Sequence, residues 1–301
     1  EYILKRTQEV DTLSDEIADL EDTVNSPKRI QTLIIGELEE VKKKYAVPRR
    51  TDIVFDHEAD EVMAVEEEIP DYPVHLFFSQ EGYLKKITPQ SLRMSSEQKY
   101  KEGDGPYLQW EASNRDELLV FTDRQQCYKT RLSDFDDTKA SVLGDYLPTK
   151  LGMDPEERAV WACIPGDYSG QLLFFFENGK AARVELSAYQ TQTRRKKLTG
   201  AYSDKSPLVA AFLLIEDFEA AVISTEGRCV VFHTASLNPK TTRSTQGVNV
   251  MTLKPKYRVE KVLPLDRTAI VNAARYRARS LPVSGALLKE EDRGEEQLTL
   301  L

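Results

Sequence analysis

Histidine and cysteine are scarce in this sequence, and with them the usual means of catalysis and metal binding. Its 301 residues include three histidines, His57, His75 and His233, and none has a partner at ligand or catalytic spacing. The three cysteines, Cys127, Cys163 and Cys229, are odd in number and far apart, which excludes a disulfide framework and fits reduced thiols. There is no phosphate loop, no Gly-x-Ser-x-Gly elbow and no Cys-x-x-Cys pair. No catalytic residue and no metal ligand is therefore assigned. No apolar run approaches the roughly 18 residues of a membrane span, and no signal peptide is visible. The expectation is a soluble, cytoplasmic protein. The chain opens without Met in charged, helix-like sequence, and it reads as a piece of a longer polypeptide.

What the sequence does contain is a repeat. Residues 173–189 read LFFFENGKAARVELSAY: an apolar run, a turn at Asn178-Gly179, and a second run. Asn-Gly between strand-like runs signals a hairpin, since both residues tolerate positive φ. Three further stretches align with it without gaps: 76–92 (LFFSQEGYLKKITPQSL), 119–135 (LVFTDRQQCYKTRLSDF) and 221–237 (AVISTEGRCVVFHTASL). The turn glycine recurs as Gly82, Gly179 and Gly227, with Gln125 in its place in the second copy. The copies start 43, 54 and 48 residues apart. Strand pairs at such a period mark a radial β-repeat with one blade per copy. Cys127 and Cys229 fall in second strands and read as strand filling, and Trp110 and Trp161 as core or blade-interface residues.

The formal net charge of −9 conceals a division. Residues 1–70 carry 9 Lys+Arg against 19 Asp+Glu, and residues 71–179 carry 12 against 18. Residues 180–282 reverse this with 18 against 8, and the end of the chain from Val283 has 2 against 5. A basic block in an acidic protein points to a polyanion surface on one part of the molecule. Its densest run is Arg194, Arg195, Lys196 and Lys197, directly after the third hairpin. Lys240 and Arg243 stand at a similar offset after the fourth, followed by Lys254, Lys256 and Arg258. Arg275, Arg277 and Arg279 alternate, which on a strand would place them on one face. The loop 134–150 is mostly acidic and is expected to repel phosphate.

Before the repeats lie two helical stretches. Val10, Leu13, Ile17, Leu20 and Val24 recur at steps of three and four, a short heptad seam or one face of an amphipathic helix. Ser26-Pro27 starts a second helix, with Ser as the capping residue, an apolar face through Ile30, Leu33, Ile34, Leu38, Val41 and Tyr45, and the spaced pairs Glu39–Lys43 and Glu40–Lys44. Val47-Pro48 ends it, and an acidic linker follows.

These helices carry a resemblance. LIIGELEEVKKKYAVPRRTDI at 33–53, most specifically its KKYAVPRRT, resembles the A subunit of the bacterial type IIA DNA topoisomerases, DNA gyrase and topoisomerase IV. Arg243, Gln246-Gly247, Met251 and Leu253 resemble the repeat signature of that family's C-terminal domain. The resemblance implies a mainly β fold: a propeller-like β-pinwheel of four or five blades over residues 73–282. Ahead of it would come the end of a coiled coil (1–50) and a linker (51–72), and after it an acidic tail (283–301). It implies a DNA-binding and DNA-bending module presenting duplex for ATP-dependent strand passage. The expected DNA-binding residues are Lys99, Lys101, Arg194, Arg195, Lys196, Lys197, Lys240, Arg243, Lys254, Lys256, Arg258, Arg275, Arg277 and Arg279. The implied partners are double-stranded DNA, the ATPase B subunit and a second A subunit; ATP and magnesium serve the whole enzyme, none binds this piece, and the localisation is with the nucleoid. The family's cleaving tyrosine and metal carboxylates lie in regions outside this chain. Gyrase has a Gln-Arg-Arg-Gly-Gly-Lys-Gly box after its first blade. Here QKYKEGDG at 98–105 keeps only Gln98, Gly103, Gly105, Lys99 and Lys101, with Glu102 and Asp104 opposing, which shifts the reading toward a topoisomerase IV-like protein. The alternative is a β-propeller platform that binds protein. The discriminator is whether the basic residues form one rim or are scattered among carboxylates.

Overall fold

The computed structural model describes residues 2–47, 69–95, 97–191 and 196–293. The chain divides into two units, Glu1–Glu66 and Glu67–Leu301. In the first, helix α1 (Tyr2–Asn25) is followed by helix α2 (Pro27–Tyr45). Pro27 occupies the first turn of α2, where its missing N–H costs nothing. Ser26 makes no side-chain cap; its carbonyl accepts the N–H groups of Arg29 and Ile30 instead. Arg29 reaches back to the carboxylates of Asp19 and Asp22 and ties α2 to α1. Neither helix has a buried residue. The α2 face from Ile30 to Tyr45, expected to be buried, is exposed, as is the seam from Val10 to Val24, and neither expected Glu–Lys pair closes among the described residues.

The second unit is built from four four-stranded sheets, each organised on one of the four aligned hairpins. The hairpins are β1 (Pro73–Ser79) with β2 (Tyr83–Ile87), β4 (Glu117–Thr122) with β5 (Gln126–Arg131), β8 (Gln171–Phe176) with β9 (Lys180–Glu185), and β12 (Glu219–Ser224) with β13 (Arg228–His233). All four turns share one geometry. The N–H of Gly82, Gln125, Gly179 or Gly227 donates to the carbonyl three residues earlier, and that residue alone lies at positive φ. This is the three-residue turn ending in a left-handed residue, not the two-residue form that Asn-Gly suggested. Gln125, at φ 55°, takes the conformation without the freedom of glycine.

The hairpin strands are largely apolar on both faces, the pattern of buried strands: the middle sheets lie between neighbours, and the outer faces of the first and fourth are covered by Ala140 and Leu92 and by Tyr276 and Leu288. Leu118 and Val120 pack with Leu76, Phe78 and Leu84 of the first blade. Their neighbours Leu119 and Phe121 point the other way, to Leu172, Phe174 and Phe176 of the third. Leu173 and Phe175 then meet Val222 and Val230 of the fourth. Phe121 lies at the centre, its ring 5.3 Å from Trp161, 5.7 Å from Phe174 and 5.4 Å from Tyr189. The three cysteines are buried and free, and burial pushes their thiol pKa values up, that of Cys229 to about 12.

Two more strands complete each blade. One flanks the first hairpin strand and, in the first three blades, leads into the next hairpin: β3 (Pro106–Ser113), β7 (Ala159–Cys163), β11 (Leu208–Leu214) and β15 (Val259–Pro264). The other flanks the second hairpin strand and arrives late: β6 (Asp145–Tyr146) pairs with β2, β10 (Lys197–Thr199) with β5, β14 (Val248–Asn249) with β9 and β16 (Ala286–Leu287) with β13. In the first three blades it comes only after the next hairpin has been laid down, so the blades interlock. Gly144, Gly247 and Gly285 precede three of these closing strands, where an added Cβ would stand 2.4, 2.1 and 2.6 Å from the carbonyl oxygens of Leu84, Ala181 and Cys229. The sheets number four. Tyr257–Pro282, a candidate fifth blade, instead supplies β15 and the segment leading to β16. The β-structure also passes the expected boundary at 282: Leu288 is buried, and Asp292 accepts hydrogen bonds from the Val271 N–H and the Tyr276 hydroxyl.

A cation clamps each blade to the next. The Lys86 ammonium, 3% exposed, donates to Asn114 Oδ1 (2.8 Å) and the Leu132 carbonyl (3.1 Å) of blade two and pairs with Asp137 (3.2 Å). One blade on, Lys129 stands 3.6 Å from Glu117 of its own blade and 4.9 Å over the ring of Tyr168, on the connection that leads into blade three. Arg183 in blade three pairs with Asp217 (3.0 Å) and donates to the Thr234 (3.1 Å) and Leu237 (3.4 Å) carbonyls of blade four. The same strand position in blade four is Val231, fully buried under Tyr276 and Leu288.

Candidate nucleic-acid interface

The basic residues follow from the late fourth strands. After each hairpin, a return segment carries the chain back to close the blade before it. Lys196 and Lys197 follow the blade-three hairpin, yet β10 pairs with β5 and the Lys129 N–H donates to the Lys196 carbonyl, so these two lysines lie on the edge of blade two. Lys240 and Arg243 likewise belong to blade three, where Lys240 bridges Val184 and its N–H donates to the Arg183 carbonyl. Arg277 bridges Val231 on blade four. The sequence placed the first two runs one blade too late, because the pairing reaches back about 70 residues across an intervening hairpin. Ala273–Arg275 is a 3-10 turn, so Arg275, Arg277 and Arg279 do not form the expected one-faced strand.

The edges of blades two, three and four adjoin. The Arg243 guanidinium donates to the Ala188 carbonyl at 3.2 Å and lies 6.0 Å over the ring of Tyr189, at the root of the blade-two segment. Met251, just past β14, bridges Val283 on the blade-four segment, and the Thr252 N–H donates to the Val283 carbonyl at 2.9 Å. Residues 186–197 and 234–247 contain no carboxylate, and residues 265–285 contain one, Asp266. Lys196, Lys240, Arg275 and Arg279 are exposed and make no ion pair among the described residues. Arg267 shares these properties on the blade-four segment; Asp266 beside it hid it in the sequence.

Other candidates are occupied. Lys197 pairs with Asp154 at 2.7 Å, and this hydrogen bond holds the Asp154 carboxyl below its ordinary range. Arg277 grips Glu219 through two hydrogen bonds, 2.6 and 2.8 Å, which lower the Glu219 pKa and raise that of Arg277. Lys254 pairs with Glu226 (2.6 Å) and Arg258 with Glu177 (3.6 Å), both carboxylates of hairpin turns, so these two lie at the hairpin tips rather than on the return edge. Lys256 is exposed at φ 81° beside them. Arg194 and Arg195 lie outside the described residues. Lys99 and Lys101 are exposed, but their loop is pinned to blade one. The buried Lys85 ammonium donates to the carbonyls of Lys99 (2.6 Å) and Ala140 (3.2 Å) and to Gln98 (3.3 Å). Asp104 accepts the N–H groups of Glu81 (2.9 Å) and Gly105 (2.8 Å). Burial lowers the Lys85 pKa, while Asp104 acts against that shift. No cluster suited to a metal ion occurs among the described residues, and no described helix is long and apolar enough to cross a membrane.

Four blades on one hairpin pattern, interlocked by late closing strands, define a β-pinwheel of the propeller class. Residues 116–141, 171–211 and 220–266 match the family model of the DNA gyrase C-terminal domain, β-propeller. By this match and by its relatives, the chain is similar to the C-terminal domains of type IIA topoisomerase A subunits. It is 29% identical over 197 residues to the A subunit of DNA topoisomerase 4 from Bacillus subtilis, covering 64% of this chain and 24% of the relative. To the A subunit of DNA gyrase from Campylobacter jejuni it is 26% identical over 238 residues, 74% of this chain and 26% of the relative. The chain thus spans about a quarter of the length of these relatives. The crystal structure of the C-terminal domain of DNA topoisomerase IV superposes with a TM-score of 0.58 at 23% identity, over 65% of this chain and 62% of that one, a likeness of fold.

Proposed function

We propose that the return edge of the pinwheel binds and bends duplex DNA without reading bases. The observation that carries this reading is the row of exposed, unpaired cations on three adjoining blade edges: Lys196 on blade two, Lys240 on blade three, and Arg275 and Arg279 on blade four. Cations that track a backbone neutralise phosphates and release counterions, and a curved row favours duplex bent along it. Arg194 and Arg195 extend the row by sequence. Lys254 and Arg258 contribute less, because each is engaged by a turn carboxylate.

Within the whole enzyme, this surface would present a DNA segment for strand passage by a dimer of A subunits with the ATPase B subunit, ATP and magnesium, at the nucleoid. The pinned, mixed-charge loop at 98–105 favours bending over gyrase-type wrapping. The test is binding to linear duplex as a function of salt, beside a variant with Arg194, Arg195, Lys196 and Lys197 changed to Ala. The expected result is a steep salt dependence whose slope falls by roughly 0.9 for each phosphate that the variant no longer neutralises. Absence of binding by the native chain at low salt would sink the reading and turn attention to a protein-binding platform.

A further inference from the structure

Blade one has the fold of its neighbours but not their edge. Its return segment, 132–145, carries Asp134, Asp136, Asp137 and Asp145 against a single Lys139. Asp137 occupies the bridging position, opposite Lys86, that Lys240 and Arg277 occupy in blades three and four. Asp136 is exposed and has no ion-pair partner among the described residues. The two lysines of the second hairpin strand, Lys85 and Lys86, are 2% and 3% exposed and direct their charge inward to carbonyls, an amide and Asp137. The loop 97–105, which could have served as a basic arm, is tied down by Lys85 and Asp104.

Resting on the DNA reading above, we propose that the DNA track covers the edges of blades two to four only. Blade one is its electrostatic end stop, and Asp136 is a determinant of where the duplex leaves the protein. A duplex continuing past blade two would bring its phosphates against an edge with more carboxylates than cations, at separations within a Debye length, where repulsion is not screened. The duplex departs there instead, so the bend has a fixed end and a fixed direction along the ring. Lys99 and Lys101 fall outside the track.

The three native cysteines are buried, so a single introduced cysteine can carry a tethered iron–EDTA reagent. Three exposed serines serve, one per edge: Ser141→Cys on blade one, Ser244→Cys on blade three and Ser280→Cys on blade four. With linear duplex at low salt, the reagents at 244 and 280 should cut DNA, and the reagent at 141 should cut at least about tenfold less. Adding Asp136→Lys with Val142→Lys, both exposed, should bring cutting from 141 to the level of the other two and steepen the salt slope by about one unit per phosphate gained. Strong cutting from 141 in the native background would overturn the end stop while leaving DNA binding intact. So would silence at 141 after the double substitution, with 244 still active. No cutting from any position, with no binding at low salt, would remove the DNA reading itself.

Discussion

Blades one and three have the same hairpin, the same left-handed turn residue and a clamping cation at the same strand position, yet their outer edges carry opposite charge. In blade three, Arg183 holds blade four and the return segment presents Lys240 and Arg243. In blade one, Lys86 holds blade two and the return segment presents Asp136 and Asp137. The matched family stretches begin at residue 116 and omit the blade-one hairpin. The lesson is that the interior and the edge are set by different residues. The interior depends on apolar strands and one buried cation, and the edge is free to change sign without disturbing either.

If the clamps are shared architecture, breaking them should affect both blades alike. Lys86→Met and Arg183→Met should each destabilise the pinwheel by about 1–3 kcal/mol in urea unfolding, since each leaves carbonyls at the junction with the next blade unpartnered. A small loss from one of them would show that the blades are held differently. Gly247→Ala should cost several kcal/mol, because the added Cβ would meet the Ala181 carbonyl oxygen at 2.1 Å on a backbone at φ 70°. Gly144→Ala should behave the same way against Leu84, and thermal unfolding would compare the two.

The edges should respond differently. Lys240→Glu with Arg243→Glu should weaken duplex binding by tenfold or more at low salt and flatten the salt slope by about two units. Lys99→Glu with Lys101→Glu should change it little, and equal losses would erase the contrast between blades one and three. A smaller effect concerns the turns. Gln125→Gly should stabilise by about 0.5–1 kcal/mol, since glycine takes the left-handed conformation without the side-chain penalty; a midpoint shift in urea would report it.

The smallest expected effect is one of pH. The Arg277 hydrogen bonds hold the Glu219 carboxyl below its ordinary value. The unfolded state therefore takes up this proton first on acidification. The stabilisation is full above the ordinary glutamate value and is lost as pH falls through the lowered folded value. Glu219→Gln should lower the neutral plateau of the stability profile slightly and flatten its acid limb, with the acid end unchanged.

Much of this molecule is determined by short-range sequence. Apolar runs on either side of a single left-handed turn residue, glycine in three copies and Gln125 in one, fix four hairpins, since these are local requirements visible within 17 residues. The helices, with Pro27 at the start of α2, are legible for the same reason. The division of charge along the chain, with an excess of Lys and Arg confined to residues 180–282, is likewise visible without the fold. Tertiary structure alone decided which blade owns each basic run, because β10, β14 and β6 pair with strands laid down before an intervening hairpin. It also decided which cations are spent. Lys85 and Lys86 are buried against carbonyls, and Lys254 and Arg258 are drawn to carboxylates of turns far away in the chain. A side chain's charge is written in its residue type, but whether that charge faces solvent, a carbonyl or a carboxylate depends on partners that only the folded chain brings within a few ångströms.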